Sequence, residues 1–187
     1  LEISADNNLG SAPGSVTADQ LYIDNGTLRI TESMTLNANR GITVGAGSAT
    51  IDVADTGETL LYKGVMSLEA PPIGTYQTTN NPFGGGLVKT GAGTVRMGDN
   101  YNVNNSLKTT TDSAGVNHTF TGLSIIEEGT VRIEGLPRND NQQMPFGTTD
   151  SWHDGTIVRG GAALEFFPSR GGDGNYYYQV RSREWYI

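Results

Sequence analysis

The chain has 187 residues, a formal net charge of −8 at pH 7 and no cysteine. Its few basic residues are scattered, which excludes the basic stripe that tight nucleic-acid binding requires, and the lack of cysteine excludes disulfides, thiolate metal sites and cysteine nucleophiles. No apolar run approaches the roughly 18 residues of a membrane-spanning helix, so we expect no transmembrane segment.

Five short stretches share the order small, small, apolar, charged, apolar. In chain order they are residues 26–30, 49–53, 93–97, 129–133 and 162–166. Repetition at intervals of about 20 to 50 residues is typical of stacked architectures. The step from the first stretch to the second indicates a unit of about 22 residues. We interpret the next step as close to two units, and the last two as one unit each with an insertion.

One such unit contains three short predicted strands, at residues 27–30, 34–37 and 42–44, separated by turns that contain Asn and Gly. Three strands joined by turns describe one coil of a parallel β-solenoid, in which each strand pairs with its equivalent one coil on, about 4.8 Å away. We therefore predict an all-β fold, a right-handed parallel β-helix over residues 1–187. We expect it to be one segment of a longer polypeptide, with uncapped ends.

Strand alternation assigns the side chains of the five stretches to two faces. The predicted inward stack contains Leu28, Ile51, Val95, Val131 and Leu164. On the outward face, Arg29 should lie near Asp52 and Arg132 near Glu165. Such cross-strand pairs contribute roughly 0.2–1 kcal/mol each and help to fix the register.

Three segments do not fit the coil pattern, namely residues 69–85, 98–118 and 134–156. They are rich in Pro, Gly, Asn or Thr, and we predict that they are loops inserted into the solenoid. Because binding residues are concentrated on loops carried by rigid scaffolds, a local function is expected there.

The segment at residues 85–101, with the sequence GGLVKTGAGTVRMGDNY, resembles the autotransporter-associated β-strand repeat of bacterial autotransporters and large surface proteins. That repeat has a double Gly, Leu, Lys, Gly-x-Gly-Thr-Leu, an alternating strand, and Asn before an aromatic residue. Residues 122–133 resemble the strand that follows it, and the resemblance extends over most of residues 9–166. It implies a surface-exposed bacterial β-solenoid in which the repeats serve as scaffold.

Candidate metal ligands are few. His118 and His153 are the only histidines, and a site would need both beside a carboxylate such as Asp150 or Asp154. They lie in different predicted loops, so we expect both to be solvent-exposed and predict no metal site. The run at residues 171–175 offers oxygen ligands for calcium, but the single copy favours a tight glycine turn.

Paired carboxylates suitable for glycoside hydrolysis are the other chemistry to consider. Asp52 and Asp55 are close in sequence, as are Glu127 and Glu128. Adjacent strand residues face opposite sides, and the second pair precedes a glycine as a charged turn would. We therefore predict no catalytic residues, although a polysaccharide-degrading module remains an alternative.

Aromatic residues accumulate late in the chain and could stack on sugar rings. The candidate ligand-contact residues are Trp152, Tyr176, Tyr177 and Tyr178. The competing interpretation is that some of these side chains fill the core and the others cover one end of the solenoid.

Together these patterns predict a structural or adhesive segment of a bacterial secreted or cell-surface protein. It would be a rigid scaffold that presents loops and could assemble into fibres, with no cofactor. The expected partners are other copies of the chain or adjoining solenoid repeats. Extracellular glycan is the partner in the alternative reading, a carbohydrate-binding or polysaccharide-degrading module, and a calcium-stabilised module is a third possibility.

Overall fold

The computed structural model describes residues 1–68, 85–98, 118–120, 122–134, 146, 155–167, 169–170, 176–177 and 184–186. Within these ranges there are seventeen strands and one short 3₁₀ helix (Asp6–Leu9), with no α-helix. The strands are β1 (Glu2–Ile3), β2 (Thr17–Ile23), β3 (Gly26–Ile30), β4 (Met34–Leu36), β5 (Arg40–Val44), β6 (Ala49–Val53), β7 (Thr59–Tyr62), β8 (Met66–Leu68), β9 (Leu87–Thr90), β10 (Thr94–Met97), β11 (Ser124–Ile126), β12 (Thr130–Glu134), β13 (Gly155–Val158), β14 (Ala163–Phe167), β15 (Ser169–Arg170), β16 (Tyr176–Tyr177) and β17 (Glu184–Tyr186).

Three parallel sheets contain nearly all of these strands. The first sheet has the order β1-β3-β6-β9-β11-β13-β17, the second β14-β12-β10-β7-β4, and the third β2-β5-β8. The chain visits the sheets in rotation, so β3, β4 and β5 form one coil and β6, β7 and β8 form the next. Only β15 and β16 pair antiparallel among the described strands. The prediction of an all-β fold is confirmed, and the parallel sheets are consistent with a β-helix.

The three strands predicted for one coil correspond to β3, β4 and β5. The predicted single inward stack, by contrast, is wrong. Leu28 pairs with Ile51 in the first sheet, whereas Val95 pairs with Val131, and Val131 with Leu164, in the second. In both sheets a strand follows a small residue at a corner and then alternates inward and outward side chains. The same local sequence pattern therefore occurs in two different sheets.

The wide spacing between the second and third stretches has the same explanation. Ala49 of β6 pairs with Leu87 of β9, so the chain completes a single coil between them. The third stretch contains β10, which is the next strand along and belongs to the second sheet. The step is therefore one enlarged coil plus a change of sheet, and the expectation of two coils is wrong.

The core lies between the three sheets as one continuous apolar cluster. Four members of the predicted stack are buried in it, and Leu164 packs against it while partly exposed. Other fully buried members, drawn from all three sheets, are Ile30, Leu36, Ile42, Val53, Leu60, Tyr62, Met66 and Met97.

The corners between sheets stack as closely as the strands do. A Cβ on Gly41 would lie 2.6 Å from the Cα of Ala18 in the coil below. A Cβ on Gly86 would meet the carbonyl group of Leu123 in the coil above, with the carbonyl carbon at 2.7 Å. Because backbone packs on backbone at these points, only a residue without a side chain fits.

At one end of the stack the second sheet finishes at β4, and the 3₁₀ helix contacts that strand in place of a further one. The expectation that this end is uncapped is therefore wrong for the second sheet. None of the described residues forms a helix long and apolar enough to cross a membrane.

The predicted insertions at residues 69–85, 98–118 and 134–156 lie for most of their length outside the described residues. Their described margins belong to the coils. Residues 118–120 run beside β8, where the Thr119 N–H donates to the Met66 carbonyl at 2.9 Å. Glu134 ends β12, and residues 155–156 open β13.

A methyl group added at Gly41 should destabilise the fold, because neighbouring coils cannot separate without breaking the ladder. Overpacking of this kind costs about 1–3 kcal/mol. Gly57→Ala is the matched control, since nothing lies within 4 Å of its Cβ position, and it should change the unfolding free energy by less than about 0.5 kcal/mol. Urea denaturation measures both variants; equal stabilities would contradict the stacked-corner interpretation.

Candidate functional site

The outer face of the first sheet carries a row of alternating charges. Arg29 lies between Glu2, at 3.5 Å, and Asp52, at 2.8 Å, on the two neighbouring strands. The predicted contact of Arg29 with Asp52 is confirmed. Farther along the stack, Glu127 and Arg159 form a similar pair at 3.4 Å. Exposed pairs of this kind contribute about 0–1 kcal/mol each, so their main effect is to oppose a one-residue slip in register.

The second sheet carries a more buried charge cluster on its outer face. Glu134 has no exposed side-chain surface and accepts two bonds from Arg96, from Nε at 2.8 Å and from Nη2 at 2.9 Å. Arg132 Nε lies 3.2 Å from the same carboxylate. Arg132 is also in register with Glu165, as the sequence predicted. A fully buried carboxylate between two guanidinium groups is the most concentrated charge cluster among the described residues.

The guanidinium group of Arg40 is buried inside the coils, near the first strands of the chain. Arg40 is completely buried and bonds to Asp6 through Nε at 3.0 Å and Nη2 at 3.2 Å. It also donates to the carbonyls of Leu9 at 3.3 Å and Gly10 at 2.6 Å. Burial alone would raise the pKa of the Asp6 carboxyl, but hydrogen bonds from Arg40 and the Asn37 backbone hold that pKa below its usual value.

Lys89 is the second interior cation, after Arg40, and is 1% exposed. It is in register with Ile51 and Ile126 on the inward face of the first sheet. Its ammonium group donates to the carbonyls of Thr90 at 2.6 Å, Gly91 at 2.7 Å and, on the next coil, Glu128 at 3.2 Å. Burial lowers the pKa of Lys89 to about 8, although the negative charges of Asp52 and Glu128 act to raise it.

His118 is completely buried, so the expectation of a solvent-exposed loop histidine is wrong. Its ring stacks between Tyr62 and Phe120, with centroids 6.2 and 5.9 Å away, and its Nδ1 accepts the Met66 N–H at 3.0 Å. The neutral ring then carries its proton on Nε2, which has no hydrogen-bond partner in the described part of the chain. Burial lowers the pKa of His118 to about 3, because no compensating charge reaches the ring.

Most of the other candidate ligand residues lie outside the described ranges. This holds for Trp152, for Tyr178, for His153 with its neighbouring aspartates, and for the run at 171–175. Tyr176 and Tyr177 are described only as the backbone of β16, which pairs with β15. The prediction of an aromatic glycan platform therefore stays a prediction.

One carboxylate of each pair considered for acid–base chemistry has a structural partner instead. Asp52 is bound to Arg29, and Glu127 is paired with Arg159. Within the described residues, no group of three or more His, Asp or Glu side chains is arranged to hold a metal ion. Neither observation brings two free carboxylates together.

Three interior or buried charged residues were not singled out from the sequence. Lys89 lies two residues after Leu87, so strand alternation alone assigns it to the inward face. Glu134 likewise shares the face of Arg132. Arg40 had no comparable signal, because it is the first residue of β5, a strand in which every residue is buried, and its partner Asp6 is in a 3₁₀ helix.

Comparison with known proteins gives one informative similarity. Over 135 residues, 72% of the chain, the sequence is 31% identical to a protein named Adhesin BmaC autotransporter from Brucella suis biovar 1 (strain 1330). The chain spans about 3% of the length of that relative. No protein-family model matches the chain, and no solved structure matches it. The similarity supports a relationship to autotransporter surface proteins, without identifying the type of repeat.

Glu134→Gln should destabilise the protein by about 3 kcal/mol, because it removes the buried negative charge that both guanidinium groups contact. Glu165→Gln is the matched control. It makes the same chemical change on the adjacent strand at an exposed residue, and should cost less than about 0.5 kcal/mol. Denaturant unfolding of both variants at low and high salt provides the measurement. Equal effects would show that the cluster contributes no more than a surface pair.

His118 should make the fold sensitive to acid. Its pKa is about 3 in the folded protein and about 6.5 when unfolded, so below pH 6.5 only the unfolded chain binds a proton. Stability should therefore fall by about 1.4 kcal/mol per pH unit between pH 6.5 and 3. Tyr62, stacked on the ring, does not titrate in this window, since burial raises its pKa further.

His118→Phe isolates this contribution. It keeps a ring between Tyr62 and Phe120 but removes the acceptor for the Met66 N–H, so it should be less stable than wild type at pH 7. The difference between the two proteins should shrink as the pH falls, while carboxylates such as Asp6 affect both equally. Unfolding free energies from pH 7 to 4 measure this, and parallel curves would contradict the buried neutral histidine.

Proposed function

We propose that the chain is a rigid scaffold segment of a bacterial autotransporter-type adhesin, folded as a right-handed parallel β-helix and exposed at the cell surface or secreted. The observation that carries the proposal is the in-register parallel ladder of three sheets around one core. Similarity to a protein named as an autotransporter adhesin supports the surface role.

The ladder accounts for rigidity. Each coil adds about 4.8 Å along the axis, and the seven strands of the first sheet make a column of about 29 Å. Backbone contacts at the corners and paired charges on the outer faces hold each coil to the next. A longer array of such coils would be a stiff rod, with stability summed over neighbouring coils.

The scaffold role also fits the way the chain varies between coils. From Tyr62 to Met66 the chain passes from the second sheet to the third through three residues, 63–65. One coil later, the same step from Met97 to His118 takes twenty residues, although Tyr62 pairs with Met97 and Thr119 binds Met66. The added length leaves the ladder unchanged, which supports segments such as 98–117 as the parts that contact a partner.

The charged residues support a role without catalysis. Asp52, Glu127 and Glu134 each serve an ion pair that holds strands together. A carboxylate already committed to an arginine is poorly placed to act as a general acid or base. The proposed mechanism is therefore mechanical: the coils keep their shape while the inserted segments meet the target.

The experiment separates fold from adhesion by replacing residues 98–117 with the three-residue connection 63–65. We expect the variant to keep its parallel-sheet circular dichroism and a thermal midpoint close to that of wild type. Beads coated with the chain should bind cultured epithelial cells, and beads coated with the variant should bind fewer. Unfolding of the variant would contradict the scaffold role, and unchanged binding would contradict adhesion through this segment.

A further inference from the structure

The first coil of the described chain differs from a regular coil in all three sheets. The first sheet ends with β1, which has two residues, and the second sheet ends with β4 under the 3₁₀ helix. The third ends with β2, the longest strand described. Sheet edges present unpaired backbone groups that can pair with another chain, and short, irregular or covered edges prevent this.

The 3₁₀ helix covers the edge of the second sheet through specific bonds. The Asp6 carboxylate accepts the N–H of Asn37, the residue after β4, at 2.9 Å. A side-chain oxygen thus occupies the place where the carbonyl of another strand would bind. Leu9, at the end of the helix, packs against the buried core. The helix therefore satisfies the edge and closes part of the core.

Arg40 holds this helix from the inside. It is completely buried, and its bonds to Asp6, Leu9 and Gly10 all reach the helix and the residue after it. On the far side, its own carbonyl accepts the Tyr62 hydroxyl of the next coil at 2.9 Å. Arg40 therefore links the helix to the coil formed by β3, β4 and β5 and, through the Tyr62 hydroxyl, to the coil formed by β6, β7 and β8.

The edge of the third sheet is irregular. Thr17 pairs with Arg40 and Leu21 with Ile42, so β2 advances by four residues over an interval in which β5 advances by two. The exposed Asp19 lies inside this bulge. Bulges and charges on an edge strand are devices that oppose the addition of another strand.

Head-to-tail association of two copies would need one strand edge from each end. In the second sheet the other end is β14 (Ala163–Phe167), which pairs only with β12 among the described strands. A contact between β14 of one copy and β4 of the next would be heterologous, and repetition of such a contact builds an open filament. Covering β4 removes one of the two surfaces that this contact requires.

We propose that residues 6–10, fastened by Arg40, are a built-in plug that prevents β14 of a second copy from adding to β4. The plug closes the β4 edge of the second sheet with the chain's own helix. It goes beyond the proposed scaffold role, because a scaffold could leave this strand edge open.

The test releases the plug in the 187-residue chain with Asp6→Ala. This variant removes both the acceptor for Asn37 N–H and the partner of Arg40. Asp24→Ala is the matched control: Asp24 also caps a corner, accepting the Gly47 N–H at 2.6 Å, but lies away from the β4 edge. Sedimentation velocity across a concentration series measures association, and electron microscopy shows its form.

We expect Asp6→Ala to associate reversibly, end to end, at a concentration at least about tenfold below that of wild type, while Asp24→Ala behaves as wild type. Asn8→Ala serves if the first variant does not fold. Asn8 Oδ1 accepts the N–H groups of Ser4 and Ala5, each at 3.0 Å, so its loss loosens the helix without stranding Arg40. It should shift association in the same direction. Monomeric plug variants, amorphous aggregates alone, or equal association of the control would overturn the proposal.

Discussion

The constraint on which the rest of this structure depends is the parallel pairing of the strands of the three sheets with their equivalents one coil away. Parallel pairing in register places each side chain directly above and below its counterparts, so a row is uniform in environment along the stack. Apolar rows become core, and charged rows such as Glu2, Arg29 and Asp52 become ladders of ion pairs. At the corners the same spacing brings backbone against backbone, and this is why Gly41 and Gly86 have no room for a Cβ.

The corners also explain why cations lie inside an apolar core. Strand backbone groups are satisfied by neighbouring strands, whereas carbonyls at a corner turn away from the ladder and must find other donors. Lys89 supplies three such donors to corners of two successive coils. Arg40 does the same for the end of the 3₁₀ helix, and the Tyr62 hydroxyl lies within bonding distance of the Arg40 and Val65 carbonyls. Interior polar side chains thus stabilise the bends of the coil.

The alternation of side chains along a strand correctly predicted which face a residue occupies. It did not predict which sheet a strand joins. The contact of Arg29 with Asp52 could be predicted because both residues occupy the same place in the repeated pattern. The sequence could not reveal that the predicted inward stack belongs to two sheets, since strands of the first and second sheets share the same pattern. Val95 lies in the second sheet and Ile51 in the first. His118 was unpredictable for a related reason: its burial depends on pairing with Met66, fifty-two residues earlier.

In this fold the register between strands does not depend on the length of the connections that join them. The ladder that stabilises the fold is therefore separate from the connections. Gly26 pairs with Ala49, and Ala49 pairs with Leu87, so a coil of very different length meets the same ladder. The free energy of loop closure grows only slowly with length, so long connections cost little while the corners stay in place. Substitutions in the connections can therefore accumulate without altering the scaffold, whereas those at Lys89, Arg40 or Glu134 change the scaffold itself. A surface protein that must vary its contacts and keep its shape gains from that division, because neither property constrains the other.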